Sequence, residues 1–133
     1  MSKILVGGHE ITVHKDYSTS EVFTGQYWID GKKIYRKSYS IPAFSHTNGT
    51  LYAYTLETRT DIGVITNVFG GIKTTGEDIW IIPSVVPNGS GNLSILLGAD
   101  YNKTSGILRF YTGGSGYVAN SGYVTYEYTK TTD

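Results

Sequence analysis

The chain contains no cysteine. That excludes a disulfide framework, a thiol nucleophile and cysteine-ligated zinc. Histidine is scarce, with 3 residues. His9, His14 and His46 lack the i, i+4 helical spacing of a metalloprotease pair, so they read as turn and strand-end residues and no metal is expected. Long hydrophobic runs are missing, since the apolar stretches stop at about five residues where a membrane helix needs ~20. A charge excess of either sign is missing too, because 11 basic residues balance 11 acidic ones. Without a basic patch, a nucleic-acid partner is not expected. The opening Met1-Ser2-Lys3-Ile4-Leu5-Val6-Gly7-Gly8 has too short an apolar core for a secretory signal, which predicts a chain that starts in a cytoplasm. Nowhere do apolar residues sustain a 3.6-residue period with caps, so long helices are excluded as well.

What is present is tyrosine, glycine and hydroxyl residues. There are 12 Tyr and 17 Gly in 133 residues. Tyr, Thr and Val favour half-buried pleated strands, and Gly and Asn punctuate turns. The chain therefore reads as all-β. Its length fits a single domain over residues 1–133, large enough to bury a core without metals or cross-links.

Residues 22–37 carry the strongest local signal. Val22–Ile29 and Lys32–Ile41 flank Asp30-Gly31, and Asp-Gly between strand-like runs predicts a hairpin because Gly31 accepts a positive φ at no steric cost. A short N-terminal hairpin is predicted over residues 3–14, a candidate assembly or anchoring segment. Pro42–Gly49 reads as a loop, and Leu51–Glu57 as a strand with Tyr52, Tyr54 and Leu56 on one face. Ile62–Phe69 is a strand that Gly70-Gly71 is expected to close. Ile79–Ile82 is a continuous apolar run ending at Pro83, which predicts cover on both faces. Pro87–Asn92 is a flexible loop. Leu93–Leu97 and Ile107–Tyr111 bracket the polar segment Asp100–Ser105. Gly113–Ser121 is a Gly-rich loop, Gly122–Tyr128 the last strand, and Thr129–Asp133 a tail expected to fray. Short, evenly spaced strands with turn punctuation predict an antiparallel β-sandwich or jelly-roll-like module. Several strands carry large residues on both faces: Tyr123 opposes Val124, Tyr126 and Tyr128, and Trp28 opposes Tyr27 and Ile29. A two-layer sandwich buries one face per sheet, so the surplus predicts an oligomer.

The pattern offers little catalysis. Glu77-Asp78 reads as a solvated turn rather than an acid–base pair, and a glycosidase needs two opposed carboxylates at a set separation. Asp100-Tyr101-Asn102 resembles a fragment of a calcium loop but lacks the Gly and distal Glu of an EF-hand, and an Asx-type turn is the simpler reading. There is no Gly-x-Ser-x-Gly elbow, and the Gly-rich stretches lack the Lys-Ser/Thr of a phosphate loop. No cofactor is expected. Lys32, Lys33, Arg36 and Lys37 read as guards of an edge hairpin, or as contacts to an anionic polymer. The recognition candidates are Tyr101 with Asn102 and Tyr117 with Asn120, in the predicted loops. A tyrosine ring offers a flat face to a sugar while amides bond its hydroxyls.

Tyr17-Ser18-Thr19-Ser20-Glu21, followed by Gly25-x-x-Trp28-Ile29-Asp30-Gly31-Lys32-x-Ile34-Tyr35-Arg36-Lys37, resembles a module of bacteriophage and prophage structural proteins. It typically ends tail-fibre, receptor-binding or head-fibre appendage proteins. The close, Ser121-Gly122-Tyr123-Val124-Thr125-Tyr126-Glu127-Tyr128-Thr129-Lys130-Thr131-Thr132-Asp133, is similar to that module's C-terminus. Lys33 departs from the pattern, standing where the family often has Pro. The resemblance implies a trimeric, non-enzymatic virion module, assembled in the host cytoplasm and displayed on tail or capsid. Its expected partners are copies of itself, other virion proteins and host surface polysaccharide, without membrane insertion. The alternative is a capsid decoration or head-fibre protein with a purely structural role.

Overall fold

The computed structural model describes the backbone of residues 2–6, 9–13, 16–46, 52–74, 79–82, 84–87, 93–114 and 117–133. Side chains are described for residues 16–43, 53–73, 82, 97–113 and 121–133. Among the described residues the chain is all-β, with no helix and therefore none long and apolar enough to cross a membrane. The strands are β1 (Ser2–Val6), β2 (His9–Val13), β3 (Val22–Tyr27), β4 (Lys33–Ile41), β5 (Phe44–His46) and β6 (Tyr52–Thr58). They continue with β7 (Ile62–Thr74), β8 (Ile79–Ile82), β9 (Ser84–Pro87), β10 (Leu93–Asn102), β11 (Ile107–Gly114) and β12 (Tyr117–Lys130).

Among the described residues all strand pairings are antiparallel. One sheet has the order β3-β4-β12-β7-β8, with β5 also pairing β12; a second has the order β6-β11-β10-β9. The hairpin β1-β2 forms its own two-stranded sheet, with Ile4 opposite Ile11. The two larger sheets share one core. The first contributes Tyr39, Ile41, Ile62, Ile72, Ile82, Val124, Tyr126 and Tyr128, and the second Leu97, Leu108 and Phe110. This is the expected antiparallel sandwich. Its alternation is clearest in β12, where Val124, Tyr126 and Tyr128 are fully buried while Tyr123 is 58% exposed. Each such large side chain contributes about 2 kcal/mol of burial. Tyr54 and Leu56 of β6 pack on the core from the face they were expected to share.

The Asp-Gly hairpin forms between β3 and β4. Gly31 has φ +85°, its N–H donates to the Trp28 carbonyl at 2.9 Å, and the Trp28 N–H donates to the Lys32 carbonyl at 2.8 Å. Asp30 Oδ1 accepts from the Lys32 N–H at 3.0 Å. The result is a type I turn closed by a left-handed glycine, the three-residue loop whose twist suits a hairpin.

Several expectations are corrected. Gly70-Gly71 do not close a strand; β7 runs through them to Thr74. A Cβ at Gly70 would lie 2.2 Å from the Tyr123 carbonyl oxygen, so the glycine serves a close backbone approach rather than a turn. The loop expected at 42–49 contains β5, which includes His46 and pairs Phe44–His46 with Tyr117–Ala119. The loop expected at 113–121 is strand at both ends, since β11 reaches Gly114 and β12 starts at Tyr117. Thr129 does not fray: it is fully buried, and its Oγ1 accepts from the Val64 N–H at 3.1 Å. The Thr131 N–H in turn donates to the Asp61 carbonyl at 2.8 Å. Arg36 and Lys37 are not a solvated guard, because they pair with Glu127 and Glu57. Glu77-Asp78, His14 and the 88–92 stretch of the predicted flexible loop lie outside the described residues.

Candidate functional site

The register of β4, β12 and β7 lays out the outer face of the larger sheet as rows. Arg36, Glu127 and Asn67 form one row, Ser38, Thr125 and Phe69 the next, then Ser40, Tyr123 and Gly71, and finally Ser121 with Lys73. The first row is closed by charge. Arg36 donates to Glu127 Oε2 from Nε at 2.9 Å and from Nη2 at 2.8 Å, and Asn67 Nδ2 donates to Oε1 at 3.3 Å. In the second row the Ser38 and Thr125 hydroxyls bond each other at 2.8 Å, and both residues are buried.

That burial comes from the segment 16–20, which lies along β4. The Ser38 N–H donates to the Ser18 carbonyl at 2.9 Å, and the Ser18 hydroxyl accepts from the Ser20 N–H at 3.0 Å. The segment carries Tyr17 over the sheet. The Tyr17 ring meets Phe69 edge-on, 5.8 Å between centroids, and the Arg36 guanidinium lies 4.7 Å from the Tyr17 centroid. Tyr17 nevertheless remains 59% exposed.

Between this segment and Tyr123 runs an open groove of about 830 Å³. Tyr17 and Phe69 stand on its walls with Tyr123, and Gly70, Gly71 and Gly122 contribute bare backbone. Ser18, Thr19 and Ser121 add hydroxyls, and Lys73 adds an exposed ammonium. No Asp or Glu is among the described lining residues. Gly122 is as constrained as Gly70, since a Cβ there would fall 2.2 Å from the Gly71 carbonyl oxygen. A groove of this size with exposed aromatic rings and convergent hydroxyls is within the range of ligand sites, and its rings can stack on the C–H faces of a sugar.

The residues singled out from sequence fare differently. Tyr101 and Asn102 end β10 rather than lying in a loop. The Tyr101 hydroxyl donates to the Arg59 carbonyl at 2.8 Å, and its ring packs against the core. Asn102 Oδ1 accepts from the Ser105 N–H at 3.0 Å and the Asn102 carbonyl accepts from the Gly106 N–H at 2.7 Å, the turn-closing role of the Asx reading. Tyr117 and Asn120 lie in β12, and their side chains are outside the described residues. The structure does not bring Tyr101 and Asn102 to the groove. Of the groove residues, Tyr123 carried a sequence signal as a large residue on the second face of its strand, and Tyr17 stood in the recognised motif. Neither pointed to a pocket.

A second polar cluster clasps one end of the sandwich. Arg59 donates to Asp61 through Nε at 2.9 Å and Nη2 at 2.7 Å, to Glu21 Oε1 at 2.8 Å and to the Tyr128 hydroxyl at 2.6 Å. Lys130 pairs with Glu21, and Lys37 with Glu57. Burial opposes ionisation of Glu21, but hydrogen bonds from Lys130, Tyr128 and Arg59 outweigh it and hold its pKa below the ordinary value. The Arg59 hydrogen bond holds Asp61 low as well. Burial raises the Tyr128 phenol, with its hydrogen bond to Glu21 adding to the effect. Three cations thus meet three carboxylates, a self-neutralised joint between the sheets. On the opposite sheet Arg109 grips Asp100 through two bonds of 3.0 and 2.8 Å, and Tyr111 donates to the same carboxylate at 2.9 Å. Among the described residues no group of three His, Cys, Asp or Glu could hold a metal ion.

No family model, curated protein or solved structure matches the chain.

Proposed function

We propose that this chain is a non-enzymatic module of a bacteriophage virion appendage, displayed on tail or capsid, that binds host cell-surface glycan through the groove between Tyr17 and Tyr123. The virion assignment rests on the motif resemblance at residues 17–37 and 121–133. The binding assignment rests on one observation: two tyrosines more than half exposed flank a groove of glycine backbone and hydroxyls. Aromatic faces and hydroxyl partners are what a sugar ring requires. The proposed ligand surface therefore moves from Tyr101, Asn102, Tyr117 and Asn120 to the groove. Single contacts of this kind are weak, and a homotrimer would multiply them through avidity.

The test is glycan-array and whole-cell binding by the intact oligomer, beside Tyr17→Ala and Tyr123→Ala. Wild-type binding that both variants lose supports the reading. No binding to any glycan or to host cells ends it.

A structural reading is favoured by a different observation. Ile29 is 92% exposed at the hairpin tip beside Tyr27 at 61%, away from the groove, as an assembly contact of a head-fibre or decoration protein would be. Ile29→Asp would then dissociate the oligomer in sedimentation while leaving glycan binding per chain unchanged. Immunogold labelling of virions separates tail from capsid.

A further inference from the structure

We infer that the groove selects an anionic saccharide, a sugar carrying a carboxylate or a phosphate, with Lys73 reading the charge. The inference rests on the glycan reading of the groove and adds its charge class.

Among the described lining residues one side chain is charged, Lys73, and it is positive. No described carboxylate pairs with Lys73. The nearest outer-face charges in register, Arg36 and Glu127, neutralise each other two rows beyond Tyr123. Most other cations on the described surface are engaged: Lys37 with Glu57, Lys130 with Glu21, Arg59 with Asp61 and Arg109 with Asp100, while Lys103 stands exposed in the turn between β10 and β11, outside the described groove lining. Lys32 also bonds a backbone carbonyl, and Lys33 lies over the Phe23 ring. Lys73 is exposed, opposite Ser121 and one row from Tyr123. A sugar stacked on Tyr123 therefore has an ammonium and a hydroxyl at the same end. A lysine ammonium is a mobile point charge with three donors, suited equally to a carboxylate or a phosphate oxygen. The described lining holds no carboxylate to repel either.

The experiment is a glycan array with matched pairs, glucosyl against glucuronosyl and galactosyl against galacturonosyl trisaccharides, together with glycerol-phosphate oligomers. Wild type, Lys73→Gln and Tyr123→Ala are compared at low and high salt. An exposed ion pair predicts that wild type binds an anionic probe about three- to fivefold tighter than its neutral match. Lys73→Gln should erase that preference while keeping neutral binding, and high salt should do the same. Tyr123→Ala should lose both members of each pair. Preference for the uronides or for the glycerol-phosphate oligomers identifies the source of the charge, and either supports the inference. Equal binding of neutral and anionic probes by wild type, or a preference that survives in Lys73→Gln, overturns it and leaves the glycan reading standing. Binding to no probe and no host cell overturns both. Lys73 is exposed on the sheet surface, and unchanged thermal melting of Lys73→Gln separates lost charge from lost fold.

Discussion

Tyr126 reaches across the core from one sheet to the other, where its hydroxyl donates to the Arg109 carbonyl at 2.9 Å. The carbonyl of Asp100, the register partner of Arg109, lies 3.1 Å from the same oxygen. Burial pushes the phenol pKa up, so the group stays a donor through the neutral range. Tyr126→Phe removes the donor and keeps the ring. We expect a loss of about 1–2 kcal/mol and a melting temperature lower by roughly 3–6 °C, read by calorimetry. An unchanged melting temperature would mean the hydroxyl adds nothing beyond its ring.

Thr112 makes the opposite prediction. It is fully buried on β11, and its Oγ1 has no hydrogen-bond partner among the described residues. Burying an unpaired hydroxyl is unfavourable, and valine has nearly the same shape without it. Thr112→Val should therefore stabilise the fold by about 1 kcal/mol in denaturant unfolding, at unchanged slope.

Two glycines in strands should respond differently to the same methyl group. At Gly70 the new Cβ would sit 2.2 Å from the Tyr123 carbonyl oxygen, whereas at Gly98 it would meet nothing within 4 Å. Gly70→Ala must shift β12 against β7 and should cost about 2–4 kcal/mol. Gly98→Ala should be neutral or stabilising by about 0.5 kcal/mol. Equal effects would show that the close approach of β7 and β12 relaxes freely.

Acid should open the clasp around Arg59. Glu21 and Asp61 titrate below their ordinary 4.5 and 3.8 in the folded chain. The unfolded chain then binds more protons, so the stability these groups contribute is present above the ordinary values. It is lost as pH falls through them to the lowered folded ones. Melting temperature should drop between pH 5 and the acid limit of the folded chain, by the linkage relation. Arg59→Gln should flatten that drop and cost about 2–4 kcal/mol at neutral pH, because it leaves its carboxylates unpaired. A variant with the wild-type slope would place the acid sensitivity elsewhere.

Much of the fold was legible because strand period and turn chemistry are local. The alternation of Tyr123 against Val124, Tyr126 and Tyr128 identified a half-buried strand, and Asp30-Gly31 located its turn within a residue or two. The failures were long-range. Gly70-Gly71 carry a turn signal in their own neighbourhood, and only the backbone of β12, some fifty residues on, makes them a strand interior. Tyr101 offered a recognition side chain until Arg59 supplied a carbonyl for its hydroxyl. The groove itself was illegible. It depends on Ser18 meeting Ser38 and on Tyr17 meeting Phe69, contacts that no local pattern encodes.

The placement of β12 has a consequence for synthesis. It lies between β4 and β7, yet it follows both in the chain. As the polypeptide leaves the ribosome, β4 and β7 each present an unpaired edge until Tyr117–Lys130 emerges to join them. Open strand edges are templates for the wrong partner, so a nascent or truncated chain without this segment is an aggregation hazard. The larger sheet therefore closes late, by inserting a strand between two halves rather than by growing outward from one edge.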